Sequence, residues 1–413
     1  MLNVDTARDR IIAHCSSIQL ESLPFETVPL QHSFQRILAE NVFADRDYPP
    51  FARSMRDGYA VRARDVQQVP VTLSCVGELR AGEARPLELH DGETVQIMTG
   101  APVPPTADAV VMVESSEQLS PETVRLLKSA HVGDNVAPLG SERKAGDPVL
   151  SAGTVVGSLA MAVLATVGKS EVRVVRRPTV SILSTGDELV EVSACPGPAK
   201  IRNSNSVSLY SQVIRHGGSP VLIGIASDQI ADLKAQVQKG LETDILLVSG
   251  GVSAGKYDLV EPVFQDLGIY IHFDAVRMRP GKPTVFATLD SKFVFGLPGN
   301  PVSTFVSFEL FVAPVLKALQ GLPLSSLPLV PAVLEQEIAE KSGRTAFLPA
   351  RLTRRGREFK VSPVKWRGSA DIFSASEANG LIIAPYNTGT LERGTMVEVL
   401  VFEQVQSTLE GVF

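Results

Sequence analysis

The chain has 413 residues, of which 44% are hydrophobic and 20% are charged, and its formal net charge is −6. This length exceeds what one hydrophobic core serves, so we expect two to four domains. The negative charge argues against a general nucleic-acid surface, which needs an excess of lysine and arginine on one face. A local basic pocket for a small anion is still compatible with it.

The chain carries no pattern that predicts secretion or membrane insertion. Its N-terminus is polar, and no stretch reaches about 18 uncharged apolar residues. The nearest candidate, Gly153–Gly168, is shorter and favours a buried helix. The cysteines Cys15, Cys75 and Cys195 are scattered, and their spacing matches neither a disulfide framework nor a metal site. These features predict a cytoplasmic protein with free thiols.

The N-terminal part favours helices. Asp5–Ser16 has apolar residues at helical spacing, with Asp5 as the expected N-cap, and Ser33–Glu40 indicates a second short helix. Asp47–Phe51 is a proline-rich break, which is typical of a domain hinge.

The next part, from Phe51 to about Val136, has the pattern of a small β domain. Short alternating runs are separated by glycine and proline turns, as in small barrels. The runs are Val69–Val76, Glu93–Met98, Ala109–Glu114 and Thr123–Leu127.

From Arg177 to about Gly321, strands and helices alternate. This rhythm predicts a doubly wound, mostly parallel α/β sheet. The expected strands are Thr179–Leu183, Pro220–Ile225, Asp244–Val248, Ile269–Val276 and Lys292–Leu297, and the expected helices are Asn205–His216 (capped by Asn205), Ile230–Lys239, Leu259–Leu267 and Val302–Gln320.

The last part predicts an all-β domain. It follows a linker at Pro323–Leu327 and contains short apolar runs joined by turns. The runs are Leu329–Ile338, Thr345–Thr353, Glu358–Pro363, Gly380–Pro385 and Thr395–Phe402.

The stretch Thr243–Asp258 combines a buried strand with a glycine-rich loop, Ser249-Gly250-Gly251-Val252-Ser253-Ala254-Gly255. Glycines let the backbone approach a ligand closely and turn its N–H groups toward an anion. Such a loop at the carboxyl edge of an α/β sheet is typical of a phosphate site. A tight strand-to-helix turn without a ligand is the alternative.

Three more loops should meet at the same edge of the sheet: Ser184–Leu189, Arg277–Pro283 and Gly296–Ser303. Their cations and N–H groups suit a phosphate or another oxyanion. Nearby carboxylates would repel it unless a divalent metal lies between them, so the pattern indicates a phosphate-containing ligand with Mg²⁺. Two of these loops also have an interpretation without a ligand. Asp187 and Glu188 would be acids that stabilise a helix N-terminus. Pro298–Pro301 would be a rigid turn.

Seven motifs together give the chain a specific resemblance. They are Met55–Val61 (MRDGYAV), Ile97–Pro104 (IMTGAPVP), Ser184–Leu189 (STGDEL), Ile201–Asn205 (IRNSN), Ser249–Ser253 (SGGVS), Arg279–Pro283 (RPGKP) and Leu297–Pro301 (LPGNP). In this order and spacing they resemble the molybdopterin molybdenumtransferase family, which includes MoeA and the gephyrin E domain.

The resemblance implies an elongated homodimer with four domains per chain. These are an N-terminal helical region (residues 1–50 with 139–176), a small β domain (51–138), an α/β molybdopterin-binding domain (177–325) and a C-terminal barrel-like β domain (326–413). The implied substrates are adenylylated molybdopterin and molybdate, with Mg²⁺. The family cleaves the phosphoanhydride, releases AMP and leaves molybdenum on the dithiolene. Neither a nucleic acid nor a membrane is an implied partner.

The resemblance also implies roles for individual residues. The implied active site is a cleft between the α/β domain of one subunit and the small β domain of the other. The implied catalytic residues are Asp57 and Thr99 from across the dimer, with Asp187, Glu188, Asp228 and Asp258. Of these, Asp187, Glu188 and Asp258 would hold the metal. Substrate would contact Gly250, Gly251, Ser253, Pro298, Gly299 and Asn300. Molybdate would contact Ser253, Arg279, Lys282, Pro283, Ser303, Arg344 and Ser369.

Two departures from the family pattern lie in the small β domain and its flank. Met55-Arg56 precedes Asp57 where the family has Ala-Met, and Ala137 stands where an arginine is common, with Glu142 and Arg143 nearby. They keep open a second interpretation, a paralogue that binds molybdopterin or acts as a scaffold without turnover. A third interpretation, adenylyl transfer onto molybdopterin, fits the α/β domain but not the flanking domains.

Overall fold

The structure is a computed structural model that describes residues 1–83, 85–252, 259–324, 327–340, 342–402 and the backbone of 406–407. The chain forms two compact units. One unit comprises Met1–Glu26 with Val175–Phe413, and the other comprises Thr27–Val174. The four domain boundaries implied by the resemblance stay a prediction.

The first unit contains a six-stranded sheet, which confirms the predicted mostly parallel α/β fold. Four neighbouring strands are parallel, so their carboxyl ends meet at one edge, and two further strands add antiparallel pairs. In spatial order the strands are Ser219–Ala226, Thr179–Thr185, Ile245–Ser249, Lys292–Leu297, Val285–Leu289 and Tyr270–Phe273.

Helices cover both faces of this sheet. On the central strand Ile245–Ser249, Ile245 and Leu247 belong to one hydrophobic core, whereas Leu246 and Val248 belong to another. Side chains alternate along a strand, so a continuous apolar run is what a strand buried on both faces requires. The helices are Val4–Cys15, Ser204–Arg215, Ile230–Gly240, Val260–Asp266 and the segments Pro301–Ser307, Phe308–Val312 (a π turn) and Ala313–Ala318, which run on without a break.

Two helix caps differ from the sequence-based predictions. Asn3, not Asp5, caps the first helix, because its side chain accepts a hydrogen bond from the Thr6 N–H at 2.7 Å. Asn203, not Asn205, caps Ser204–Arg215 by accepting from the Ser206 N–H at 3.3 Å. Each helix begins one residue earlier than predicted, so the asparagine ahead of it takes the N-cap position.

The helix Pro301–Ala318 begins with a proline in its first turn, where no backbone donor is lost. In the described part of the chain, it is the one helix whose length and mean hydropathy of 1.3 match a membrane span. However, 78% of it is buried in the protein, as expected of a core helix. Its side chains join the core that also contains Phe286 and Phe295.

The C-terminal part of the first unit forms the predicted all-β domain. Five strands pair in a closed ring: Thr345–Arg355, Glu358–Pro363, Leu329–Leu334, Met396–Val401 and Gly380–Ala384, which returns to the first. Closure into a barrel leaves these strands without a free edge. The remaining elements of this unit are the strands Leu189–Val190, Ile201–Arg202, Met278–Arg279, Ile338–Glu340, Gly389–Leu391 and Gln406–Ser407, with the helices Leu20–Ser22 and Ile372–Ala375.

The second unit contains the predicted small β domain. Its six strands lie in the order Ala109–Met112, Gly58–Val61, Glu93–Ile97, Val71–Leu79, Thr123–Leu126 and Ser116–Ser120. The strand Gly58–Val61 is buried, and Tyr59 and Ala60 point into different cores. The other elements are the strands Val42–Phe43, Arg53–Ser54, Val136–Ala137 and Pro148–Leu150, with the helices Leu30–His32, Ala63–Val66, Val113–Ser115 and Ser158–Thr166. The strands Phe25–Pro29 and Glu171–Val175 lie where the chain passes from one unit to the other.

Of two helix predictions in this unit, one is wrong and the other is confirmed in part. Ser33–Glu40 is not helical, because Gln35 has φ +59° and the backbones of Ile37 and Leu38 form isolated β-bridges instead. The stretch Gly153–Gly168 yields only the short helix Ser158–Thr166, in which Leu164 alone is buried. Val156 and Val167, on either side of this helix, are buried with Leu164 in one hydrophobic core, so the stretch is buried in part.

Candidate active site

A cavity of about 1220 Å³ lies in the first unit at the carboxyl edge of the sheet. Loops of the α/β domain and of the barrel both line it. It brings together thirteen of the residues for which the resemblance implies a role: Glu188, Asp228, Gly250, Gly251, Arg279, Lys282, Pro283, Pro298, Gly299, Asn300, Ser303, Arg344 and Ser369. Ser253 and Asp258 lie outside the described residues.

Two glycines after the strand Ile245–Ser249 allow the loops to approach each other. Gly250 has φ +99°, and a Cβ there would lie 2.4 Å from the carbonyl oxygen of Thr185. Gly251 has φ +62°, and a Cβ would lie 3.0 Å from Cγ2 of the same threonine. The Gly250 N–H donates to Leu297 O at 3.0 Å. It therefore joins two loops, and this N–H is not free for a phosphate.

Asn205 fastens three parts of the site. Its Nδ2 donates to Ser249 Oγ at 2.9 Å and to Gly299 O at 2.8 Å, and it lies 3.3 Å from Thr304 Oγ1. Sequence reasoning assigned this side chain to a helix cap and so missed its role. The Ile201–Asn205 motif was the available signal, but only the fold shows which of its two asparagines points toward the loops.

Asp187 and Asp228 face each other across the ends of two neighbouring strands. Asp187 Oδ1 accepts from the Asp228 N–H at 3.1 Å, and Asp228 Oδ2 accepts from the Asp187 N–H at 3.2 Å. The Thr185 hydroxyl donates to Asp228 Oδ1 at 3.1 Å, and Lys200 Nζ donates to the backbone oxygen of Asp187. The two exposed carboxylates are thus fixed at the edge of the sheet.

The donor set suits a hard cation only in part. Within the residues that the structure describes, no three His, Cys, Asp or Glu side chains form a ligand cluster. Asp258, the third expected ligand, is not among those residues. A magnesium ion commonly takes one or two carboxylates, with water and substrate phosphate as its other ligands. Glu188 lines the cavity and supplies one such carboxylate, and Asp187 precedes it in the chain.

One cation of the cavity, Arg279, is held by a buried carboxylate. Arg279 Nη1 donates to Glu340 Oε2 at 3.1 Å, and Glu340 is 4% exposed. Burial by itself raises the pKa of Glu340, but hydrogen bonding from Ser342 and the charge of Arg279 outweigh it and lower that pKa. Glu340 is therefore ionised at neutral pH and directs part of the Arg279 fork, while Lys282 and Arg344 line the same cavity.

A hydrogen bond joins the barrel to the α/β domain at the cavity. Asn300 Nδ2 donates to Ser369 Oγ at 2.9 Å, and the Val302 N–H donates to Ser369 O at 3.0 Å. The strand Met278–Arg279 also pairs with Thr345 and Ala346 of the barrel. These contacts explain how residues more than 60 positions apart, such as Asn300 and Ser369, reach one site.

Asp57 and Thr99 lie together in the second unit. Asp57 Oδ1 accepts from the Thr99 N–H at 2.6 Å and from its hydroxyl at 2.8 Å. The backbone bond, and then the hydroxyl bond, lower the pKa of Asp57. Of the departures from the family pattern, Ala137 is buried opposite Arg53, and Glu142 forms an ion pair with Arg53 at 2.7 Å.

Comparisons with known proteins cover almost the whole chain. Residues 2–168 match the MoeA N-terminal region (domain I and II), residues 181–318 match a probable molybdopterin binding domain, and residues 331–402 match the MoeA C-terminal region (domain IV). The molybdopterin molybdenumtransferase of Bacillus subtilis is 36% identical over 389 residues, which is 92% of this chain and 90% of the relative. The chain belongs to the molybdopterin molybdenumtransferase family.

Two further relatives agree with this membership. A molybdopterin molybdenumtransferase of Staphylococcus aureus is 34% identical over 394 residues, with 93% of each chain covered. A molybdopterin biosynthesis MoeA protein of Pyrococcus horikoshii, known from its crystal structure, is 31% identical. It covers 98% of this chain and 100% of its own, with a TM-score of 0.81. The resemblance derived from the seven motifs is therefore confirmed.

Proposed function

We propose that this protein transfers molybdenum from molybdate to adenylylated molybdopterin in the cytoplasm and releases AMP. The enzyme class, a transferase, and the pathway, molybdenum cofactor biosynthesis, follow from family membership. The observation that carries the proposal is the cavity, where five cations and two carboxylates surround one space. The cations are Lys200, Arg202, Arg279, Lys282 and Arg344, and the carboxylates are Glu188 and Asp228.

Molybdate would bind at the cationic end of the cavity. A tetrahedral dianion needs positive charge and hydroxyl donors, and a guanidinium fork can donate two hydrogen bonds to it. Arg279 is half-exposed and anchored by Glu340 on one side. We assign this end to Arg279, Lys282, Pro283, Ser303, Arg344 and Ser369, together with Ser253.

The substrate's phosphates would bind at the carboxyl edge of the sheet. Two loops would contact these phosphates. They are the glycine loop at Gly250 and Gly251 and the turn at Pro298, Gly299 and Asn300. Asp187, Glu188 and Asp258 would hold Mg²⁺, which would offset charge on the phosphoryl oxygens while water cleaves the anhydride. Asp228 would keep Asp187 in place through their reciprocal hydrogen bonds.

We further propose that the enzyme is a homodimer and that Asp57 and Thr99 act in the site of the other subunit. The support is chemical. Asp57 is exposed and held by two short hydrogen bonds, and its lowered pKa keeps it ionised. Such a fixed carboxylate suits contact with a metal-bound or protonated group of the substrate.

The function is tested by incubating the purified protein with adenylylated molybdopterin, Mg²⁺ and molybdate. We expect AMP to appear only when molybdate is present. Asp187→Asn should lower this rate about 100-fold or more without lowering the Tm, because an amide oxygen can still accept from the Asp228 N–H.

Asp228→Asn is the matched variant. It should also lower the rate but with little loss of Tm, since its amide oxygen can accept from the Asp187 N–H while the Thr185 hydroxyl turns to accept from the amide nitrogen. If the wild-type protein binds molybdopterin but releases no AMP, the proposed transferase reaction is wrong and the interpretation as a scaffold paralogue is favoured.

A further inference from the structure

An exposed aromatic ring lies at the cavity of the first unit. Phe373 lines this cavity and is 86% exposed. Phenylalanine is usually buried, because removing its surface from water is favourable. A ring left in water beside a binding cavity can gain that free energy when a ligand covers it.

The backbone around Phe373 is held firmly. Asp371 accepts from the Arg367 N–H at 2.9 Å, from the Ser374 N–H at 3.2 Å and from the Ser374 hydroxyl at 2.8 Å. These bonds lower the pKa of Asp371, with the Arg367 N–H the largest cause, so this cap is ionised at neutral pH. Phe373 therefore projects from a fixed short helix.

Residues that precede Phe373 in sequence anchor this helix. Ile372 and Trp366 pack against the main core of the unit, and Trp366 also packs against the barrel core. Ser369, in the same loop, is bonded to Asn300 and Val302 of the α/β domain. The position of the Phe373 backbone is thus set by contacts with both domains.

The cavity has two chemical characters. Its charged groups include the cations Lys200, Arg202, Arg279, Lys282 and Arg344, and its apolar groups include Phe373, Trp366 and the 57% exposed Ile201. A ligand that matches both kinds of group carries an anionic group and a flat apolar ring. Stacking on an aromatic side chain is the favoured contact for such a ring.

We propose that Phe373 is a specificity-determining residue that stacks against a flat heteroaromatic ring of the substrate. This inference rests on the proposed function, because adenylylated molybdopterin carries two such rings, the pterin and the adenine. Both present the same chemistry to Phe373, and separate probes distinguish them.

The test measures binding of three probes to the full-length protein: neopterin monophosphate, AMP and ribose 5-phosphate, which has no aromatic ring. Trp366 is the only tryptophan of the chain and lines the cavity, so its fluorescence reports occupancy. Calorimetry gives an independent Kd. The variants are Phe373→Ala, Phe373→Tyr and, as a matched control outside the cavity, the 68% exposed Tyr270→Ala.

We expect Phe373→Ala to raise the Kd of at least one ring-bearing probe about tenfold. The probe that weakens identifies the stacked ring. Phe373→Tyr and Tyr270→Ala should bind like wild type, and ribose 5-phosphate should bind all variants equally. The inference is overturned if both ring-bearing probes bind Phe373→Ala as tightly as wild type, if neither binds the wild-type protein, or if ribose 5-phosphate weakens by the same factor.

The molybdate-dependent release of AMP separates this result from the proposed function. An active wild-type enzyme whose Phe373→Ala variant keeps its probe affinities and kcat/KM refutes the stacking alone. An inactive wild-type enzyme that still loses ring binding in Phe373→Ala refutes the proposed reaction and supports the ring site.

Discussion

The pair formed by Arg279 and Glu340 shows how a single buried acid shapes the cationic end of the cavity. Glu340 accepts from Arg279 on one oxygen and from the Ser342 N–H, at 2.7 Å, on the other. Removing one member of a buried pair leaves the other without its partner, which costs more than an exposed ion pair contributes. Glu340 is thus a structural acid behind a proposed binding residue.

Glu340→Gln should lower the free energy of unfolding by about 1–3 kcal/mol at neutral pH. The wild-type pKa of Glu340 lies below its ordinary value of 4.5. Its contribution is therefore complete above pH 4.5 and is lost as the pH falls through the lowered pKa. The difference in Tm between wild type and Glu340→Gln should shrink below pH 4.5, which thermal unfolding across a pH series measures.

Glu358→Gln provides the control for this series, because Glu358 is exposed on the same barrel. The Tm of Glu358→Gln should equal that of the wild type at every pH. A Tm difference for Glu340→Gln that is the same at pH 7 and well below pH 4.5 would contradict the role of the ionised Glu340.

At the scale of elements, the site consists of loops that only glycine allows to meet. Gly250 combines a positive φ with a close approach to the Thr185 backbone. The loop that follows the next strand is in ordinary van der Waals contact with it, since a Cβ on Gly299 would lie 3.8 Å from Gly250 Cα. The glycines therefore let three loop backbones pack against each other, in addition to any contact they make with a ligand.

Gly250→Ala should lower the free energy of unfolding by about 2–4 kcal/mol, because it adds a clash with Thr185 O to the strain of a positive φ. Gly268→Ala is the matched control. Gly268 has φ +74°, but a Cβ there meets nothing within 4 Å, so it should cost only about 1 kcal/mol. Urea unfolding measures both, and equal losses would mean that the close approach to Thr185 is unimportant.

At the scale of the molecule, the first unit brings a sheet edge and a closed barrel together around one cavity. Asp57 and Thr99 belong to the other unit. The proposal that these two residues act across a homodimer makes each site dependent on two chains. Such a dependence can be measured without knowing the geometry of the dimer.

Asp57→Asn and Asp187→Asn should complement each other. In a heterodimer of the two variants, one of the two shared sites contains no substitution, so we expect about half of the wild-type activity. Differently tagged chains are co-expressed, heterodimers are isolated by tandem affinity, and molybdate-dependent AMP release is measured. Asp187→Asn paired with Asp228→Asn should stay inactive, because both residues lie in the same unit. Absence of recovery in the first pair would show that the sites are not shared.

Much of this protein was determined by local sequence alone. The run of Ile245–Val248 and the alternating strands and helices around it predicted a sheet buried on both faces, because hydrophobic periodicity is a local property. The order of the seven motifs was enough to predict the family. The edge of the sheet where the ligand loops meet also followed, since parallel strands place their carboxyl ends together.

Tertiary structure decided the roles that depend on contacts between distant segments. Asn203 and Asn205 are the same residue type two positions apart, yet one caps a helix and the other fastens Ser249 and Gly299. Ser33–Glu40 has a helical pattern, but Ile37 and Leu38 form isolated β-bridges with the distant residues Val155 and Val174. Glu340 behind Arg279 and Phe373 at the cavity carried no motif. Their surroundings come from chain segments that only the packed fold brings together.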